Sequence, residues 1–199
     1  MKPFSVNWDY RCPFARNAHE HLAAALADGA DWDVTFLPFS LSQVHVPEGG
    51  TPVWDDPDKA PDLTALAAGV VVRDQYPELF LPAHVALFAA RHDEGLDLRE
   101  DDVVVGVLDG VGVPGTEVLA EVQTGAPFKE IRAAHEQAVG EWEAFGVPTF
   151  VVDGQAVFVR LMSRPMGDAA LARRTIEGVI DLFGAQPDLN EFKYTKLFR

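Results

Sequence analysis

Phe4-Ser5-Val6-Asn7-Trp8-Asp9-Tyr10-Arg11-Cys12-Pro13-Phe14 is the stretch on which the reading of the whole chain turns. Its first five residues alternate apolar and polar, the period of a strand. Asp9 to Pro13 form a turn, after which Phe14, Ala18, Leu22 and Ala25 or Leu26 recur on one helical face. Pro13 suits the first turn of a helix, where its missing N–H is no loss. Gly29 ends the helix, and Trp32, Val34 and Phe36 alternate again as a second strand. Strand, helix and strand joined by short links read as a right-handed parallel unit.

Working outward, residues 40–60 are rich in Pro, Gly and Asp and read as a long loop. Apolar faces at helical spacing follow near residues 62–74, 78–93, 99–110 and 116–123, separated by Gly or Pro. A longer helix carries Phe128, Ile131, His135, Val139 and Trp142 on one stripe and stops at Phe145-Gly146. Then come two β-rich runs, from Val147 to Val152 and from Gln155 to Val159, joined by Asp153-Gly154, a strong hairpin signal. A last helix near residues 168–183 places Ile176, Val179, Ile180 and Phe183 together. The tail, with Phe192, Tyr194, Leu197 and Phe198, is apolar enough to dock. The class is α/β, ordered β-α-β, a block of helices, then α-β-β-α.

The 199 residues, 48% hydrophobic and 24% charged, suit one compact domain with a subdomain. A formal charge of −15 repels a phosphate backbone and an anionic membrane surface alike, so neither nucleic acid nor membrane is an expected partner. No stretch approaches the roughly 20 apolar residues of a membrane span. Met1-Lys2-Pro3-Phe4 runs straight into a strand without an apolar leader, so the expected location is cytoplasmic.

Cys12 is the single cysteine, so no disulfide framework holds the fold. A lone cysteine is by base rate a small buried residue, but this one sits between a strand and a helix. A sulfur there faces unpaired backbone N–H groups and the positive end of the helix dipole, and both favour the thiolate. Arg11 and Arg16 are expected to add positive potential and Asp9 to oppose it, for a net depressed thiol pKa. Gly146-Val147-Pro148-Thr149 is the second element. Proline opening a buried strand is unusual, and a cis Val147–Pro148 bond would leave backbone groups of Val147 free to pair with an extended substrate. The blander reading is a trans proline at a strand start.

The histidines are scattered. His19 and His21, two apart on a helix, face different sides and make no metal pair. His84 and His92 share a helix and read as surface or packing residues. No metal site is expected. Gly110-Val111-Gly112-Val113-Pro114-Gly115 lacks the strand context of a phosphate loop. Glu100-Asp101-Asp102 reads as a helix N-terminus complementing the dipole. Trp8 and Tyr10 either wall a cleft or belong to the core, with core favoured for Trp8.

Cys12-Pro13-Phe14-Ala15 opening a helix, a helical insertion, and Gly146-Val147-Pro148-Thr149-Phe150 before an apolar hairpin together resemble the DsbA-like branch of thioredoxin-fold oxidoreductases. That branch includes FrnE-type proteins, mycothiol-dependent reductases and, more distantly, 2-hydroxychromene-2-carboxylate isomerases and kappa-class glutathione transferases. The resemblance implies a thioredoxin-like domain from residues 1–60 and 146–199, with a helical insertion subdomain at 61–145. It implies Cys12 as the catalytic nucleophile and Pro148 as the family's cis-proline, with Pro13, Phe14, Ala15 and Val147 also lining the substrate site. Ala15 departs from the pattern, since dithiol members carry a resolving cysteine there.

Three functions follow from that departure. The first is a thiol-disulfide or low-molecular-weight-thiol-dependent oxidoreductase using Cys12 alone. It needs no tightly bound cofactor, only a small thiol or disulfide partner such as mycothiol or glutathione. The second is a thiol-dependent transferase or isomerase. The third is a redox-inactive binding module.

Overall fold

The computed structural model describes residues 3–191 and Lys193. The tail expected to dock through Phe192, Tyr194, Leu197 and Phe198 lies outside the described residues. Strand β1 (Phe4–Trp8) leads into α1 (Pro13–Ala27) and β2 (Val34–Pro38). Six helices follow: α2 (Leu41–Val44), α3 (Thr64–Gln75), α4 (Pro77–His92), α5 (Asp101–Gly110), α6 (Gly115–Val122) and α7 (Ala126–Trp142). The chain returns to the sheet as β3 (Thr149–Val152) and β4 (Gln155–Phe158), and α8 (Ala169–Ala185) closes it.

The four strands lie in the order β2-β1-β3-β4. β1 and β2 run parallel with Val6 opposite Phe36, whereas β1 and β3 are antiparallel with Val6 opposite Phe150. The β3–β4 turn is the expected Asp-Gly hairpin. Asp153 (φ 50°) and Gly154 (φ 79°) both adopt the left-handed backbone, whose twist matches that of the flanking strands. This mixed α/β architecture, with its helical block between β2 and β3, is the one expected from the pattern of the sequence.

Residues 40–60 differ from expectation. α2 and two 3₁₀ turns, Val53–Asp55 and Pro57–Leu63, occupy and border the segment read as open loop. Short polar side chains explain the difference. Ser40 Oγ accepts from Gln43 N at 3.1 Å, and Asp56 Oδ1 accepts from Asp58 N at 3.1 Å. Such caps stabilise turns too short to show an apolar period.

The core falls into two main clusters. Phe4, Val6 and Phe150 on the sheet pack against Ala18 and Leu22 of α1 and Ile176, Ile180 and Phe183 of α8. The other begins at Trp8, Tyr10, Cys12 and Phe39, at the C-terminal end of the parallel strands, and continues through α3 to α7. α3 is buried along nine consecutive residues, Thr64 to Val72, which is why it shows little amphipathic pattern. The Cys12 turn therefore lies at the seam between the sheet and the helical block.

Gly115 shows how tightly that block is assembled. A Cβ there would lie 2.7 Å from the carbonyl oxygen of Val105, so α6 starts directly against the backbone of α5. Gly115→Ala is expected to destabilise the protein by about 1–3 kcal/mol through overpacking. The fall in urea midpoint at unchanged m-value measures it.

Candidate active site around Cys12

Cys12 is the N-cap of α1 in an extended conformation, and its Sγ accepts a hydrogen bond from Ala15 N at 3.4 Å. On its other side the Sγ–H donates to the carbonyl oxygen of Val147 at 3.3 Å. The Val147–Pro148 peptide bond is cis. Residues 135 positions apart thus meet at the sulfur. Only 9% of Cys12 is exposed. Pro13 is exposed, Phe14 is half-buried, and Ala15 is fully buried where a second thiol would otherwise stand.

The Val147 loop is held by Asn7. Its Nδ2 donates to Gly146 O at 3.2 Å, and its Oδ1 accepts from Thr149 N at 2.6 Å. Thr149 Oγ1 adds a bond to Gly146 O at 2.8 Å. Asn7 is 3% exposed, so both amide groups do their bonding out of water.

The thiol corrects one sequence expectation. Burial pushes the Cys12 pKa up, and the backbone N–H groups of Ala15 and Phe14 offset this only in part. The nearby Asp9 carboxylate also raises it, and Arg160 lowers it. The expected depression assumed a sulfur open to water at a helix end, whereas here desolvation outweighs the dipole. The Val147 carbonyl, an acceptor, also holds the proton on sulfur.

Arg11 and Arg16, expected to tune the thiol, have other partners. Arg11 Nη1 bonds Ser42 Oγ and lies 3.7 Å from Asp62. Arg16 pairs with Asp93 at 2.7 Å. The cation that acts on the sulfur is Arg160, whose guanidinium lies 5.3 Å from the ring centre of Phe14 and 5.4 Å from that of Phe158. Nothing in its local sequence marked it, because the β3–β4 hairpin brings it to α1. Asp9 is 4% exposed and accepts from Arg11 N at 2.9 Å and Leu41 N at 2.7 Å, with burial pushing its pKa up.

A buried polar chain also escaped the sequence reading. Tyr10 Oη donates to His84 Nδ1 at 2.8 Å, His84 Nε2 donates to His19 Nδ1 at 3.0 Å, and His19 Nε2 donates to Asn7 O at 3.1 Å. Burial lowers both histidine pKa values and so keeps the rings neutral, and with neutral rings the terminal carbonyl, which can only accept, fixes the direction of every bond. His84, read as a surface or packing residue, is 1% exposed and sits amid Trp8, Phe36, Phe80 and Phe88. His92 Nε2 donates to the Tyr10 carbonyl at 2.9 Å. His21 turns away to Ser163 O at 3.1 Å, as its spacing from His19 required.

Residues 5–162 match the family described as DSBA-like thioredoxin domain. The chain belongs to that family. Membership places it among thiol oxidoreductases and their isomerase relatives. An uncharacterised protein of Mycobacterium tuberculosis is 26% identical over 175 residues, covering 86% of this chain and 74% of its own length. In structure, this DsbA-like protein is similar to the cytosolic disulfide reductase DsbM of Pseudomonas aeruginosa. The TM-score is 0.61 at 18% identity, over 90% of this chain and 99% of that one. DsbM has also been solved with glutathione. A 2-hydroxychromene-2-carboxylate isomerase matches with a TM-score of 0.60 at 14% identity, over 94% and 99% of the two chains. The thiol-disulfide oxidoreductase MdbA of Actinomyces oris matches with 0.60 at 20% identity, over 87% and 80%. Among the described residues no helix is long and apolar enough to cross a membrane.

Two measurements test this electrostatic picture. The apparent pKa from iodoacetamide alkylation rates is expected above the roughly 8.5 of a free thiol, and further up in Arg160→Ala. Burial also lowers the pKa of His19 and His135 to about 4, so the unfolded chain takes up protons that the folded one refuses. Their contribution to stability is complete above about pH 6.5 and is lost as pH falls toward 4. Each is expected to cost on the order of 2 kcal/mol at pH 4.5. Urea midpoints at pH 7 and 4.5 read this loss, which shrinks in His135→Asn.

Proposed function

We propose that this protein is a one-thiol oxidoreductase of small disulfides, with Cys12 as nucleophile and a low-molecular-weight thiol as the external reductant. The observation that carries this reading is the position of Sγ, capping α1 and lying 3.3 Å from Val147 O beside Pro148, with Ala15 in place of a second thiol. An incoming disulfide lies along Pro13, Phe14, Ala15, Val147 and Pro148. A cytoplasmic setting is part of the same reading, since a reducing compartment supplies the second thiol.

The chemistry balances in two exchanges. Deprotonated Cys12 attacks one sulfur of a disulfide, forming a Cys12 mixed disulfide and expelling the other half as a thiolate. A second small thiolate then attacks the sulfur of the bound half, forming a new disulfide and returning the Cys12 thiolate. The net result is an exchange in which one substrate sulfur leaves as a thiolate, one external thiol sulfur enters a disulfide in its place, and Cys12 ends unchanged. Ala15 prevents an internal second step, so the partner must diffuse in.

Resting Cys12 is protonated and donates to Val147 O. A substrate N–H that pairs with this carbonyl by strand addition competes with the thiol for the same acceptor. Its binding removes the bond that retains the proton, while Arg160 and the N–H groups of Phe14 and Ala15 favour the thiolate that results. Activation thus accompanies substrate docking, which limits oxidation of the idle thiol.

Intact-mass measurement after exposure to glutathione disulfide and, separately, mycothiol disulfide tests the reading. One adduct is expected, on Cys12, removable by excess thiol and absent in Cys12→Ser. No adduct with either disulfide would overturn it. Turnover retained in Cys12→Ser but still dependent on added thiol would instead favour the isomerase or transferase class, which the fold shared with the chromene carboxylate isomerase keeps in view.

A further inference from the structure

A cavity of about 250 Å³ opens beside the Cys12 turn, at the seam with the helical block. Its near wall is Asp9, Tyr10 and Arg11, the three residues before the nucleophile, and Cys12 N itself donates to Asp9 O at 3.1 Å. Asp62 on the turn before α3, Arg91 at the end of α4, and Asp97 and Arg99 on the following loop form the rest of its charged lining. Ala65, Leu66 and Leu98 supply an apolar floor. The volume equals roughly eight waters, the scale of an amino-acid headgroup rather than of a protein segment.

Three guanidinium groups converge here on a chain of net charge −15, and they are not equivalent. Arg99 is bound to Asp97 at 2.6 Å, and Arg11 lies 3.7 Å from Asp62. Arg91 has no ion pair within 4 Å among the described residues, although it faces the same cavity. An entering carboxylate therefore meets a guanidinium that acts on Asp97 only at longer range and is held by no close ion pair, and whose fork suits a carboxylate bidentately. An ammonium group meets Asp62 or Asp97. The lining is complementary to a zwitterion, setting Arg11, Arg91 and Arg99 beside Asp9, Asp62 and Asp97 at short range.

We propose that this cavity is the headgroup subsite of the thiol reaction and takes a zwitterionic α-amino carboxylate, as carried by glutathione, in preference to an uncharged sugar-linked thiol such as mycothiol. The assignment rests on the one-thiol reading of Cys12 for its purpose, but the cavity's selectivity stands on its own lining. Arg91 holds the carboxylate, Asp62 or Asp97 holds the ammonium, and the cysteinyl sulfur of the ligand reaches toward Cys12 past Arg11. A thiol with neither charge leaves Arg91 unpaired and gains nothing from the cavity.

Two experiments separate this proposal from the reading beneath it. In the first, rates of Cys12 adduct formation are compared for glutathione disulfide and the uncharged 2-hydroxyethyl disulfide. Arg91→Ala is expected to reduce that selectivity roughly ten- to a hundredfold, as loss of a charge-assisted pair implies. An unchanged ratio overturns the subsite and leaves Cys12 chemistry standing. In the second, S-methylglutathione is titrated into Cys12→Ser by calorimetry, so that no sulfur exchange is involved. Saturable binding, weakened tenfold or more by adding Arg91→Ala, is expected. Absence of binding, or equal binding by both variants, overturns the proposal. Binding here without any adduct in the unaltered protein would retain the subsite and reject the one-thiol reaction.

Discussion

The paired hydrogen bonds of the Asn7 side chain are the constraint on which the site depends. Between β2 and β3 the chain leaves the sheet for more than a hundred residues of helix and loop. It must then return so that Val147 lands beside Cys12. Asn7, on the central strand β1, grips Gly146 O and Thr149 N on either side of Val147–Pro148. Because the amide is buried, loss of either partner leaves a polar group with neither protein nor water to bond, at about 1–3 kcal/mol for each. A strand residue five positions before Cys12 thereby positions the loop that faces its sulfur.

The backbone carbonyl of the same residue anchors the helical block. The Tyr10–His84–His19 chain ends on Asn7 O, and α4 contributes His84 to it. Tyr10 Oη, both ring nitrogens of His84 and of His19, and Asn7 O are therefore satisfied in one ordered series within an apolar surround. Such a network tolerates little rearrangement, since displacing one ring orphans its neighbours. Tyr10, at its start, lies in the same buried cluster as Cys12, whose burial raises the thiol pKa.

Much of the fold was legible because its signals are local. Alternation in β1, the 3.6-residue stripe of α1 and the Asp153-Gly154 turn each concern a few neighbouring residues. Helices α3 to α7 begin and end close to the expected positions because Gly and Pro punctuate them. The short turns between residues 40 and 60 were missed because caps of one or two hydrogen bonds leave no periodic trace. Among the site residues, Cys12 and Val147–Pro148 were legible as a pair of motifs. Arg160, Asn7 and His84 were not, because each acts through contacts more than sixty residues away in sequence.

By itself the sequence determined that this protein has one thiol, that the thiol stands between a strand and a helix, and that Ala15 denies it an internal partner. Those are facts of residue type and spacing. Tertiary structure alone decided the state of that thiol, which cations reach it and which do not. Helix dipole and burial act on Cys12 with opposite signs, and their balance depends on how much water the helical block excludes. Exclusion is a property of packed surfaces, and no local pattern encodes it.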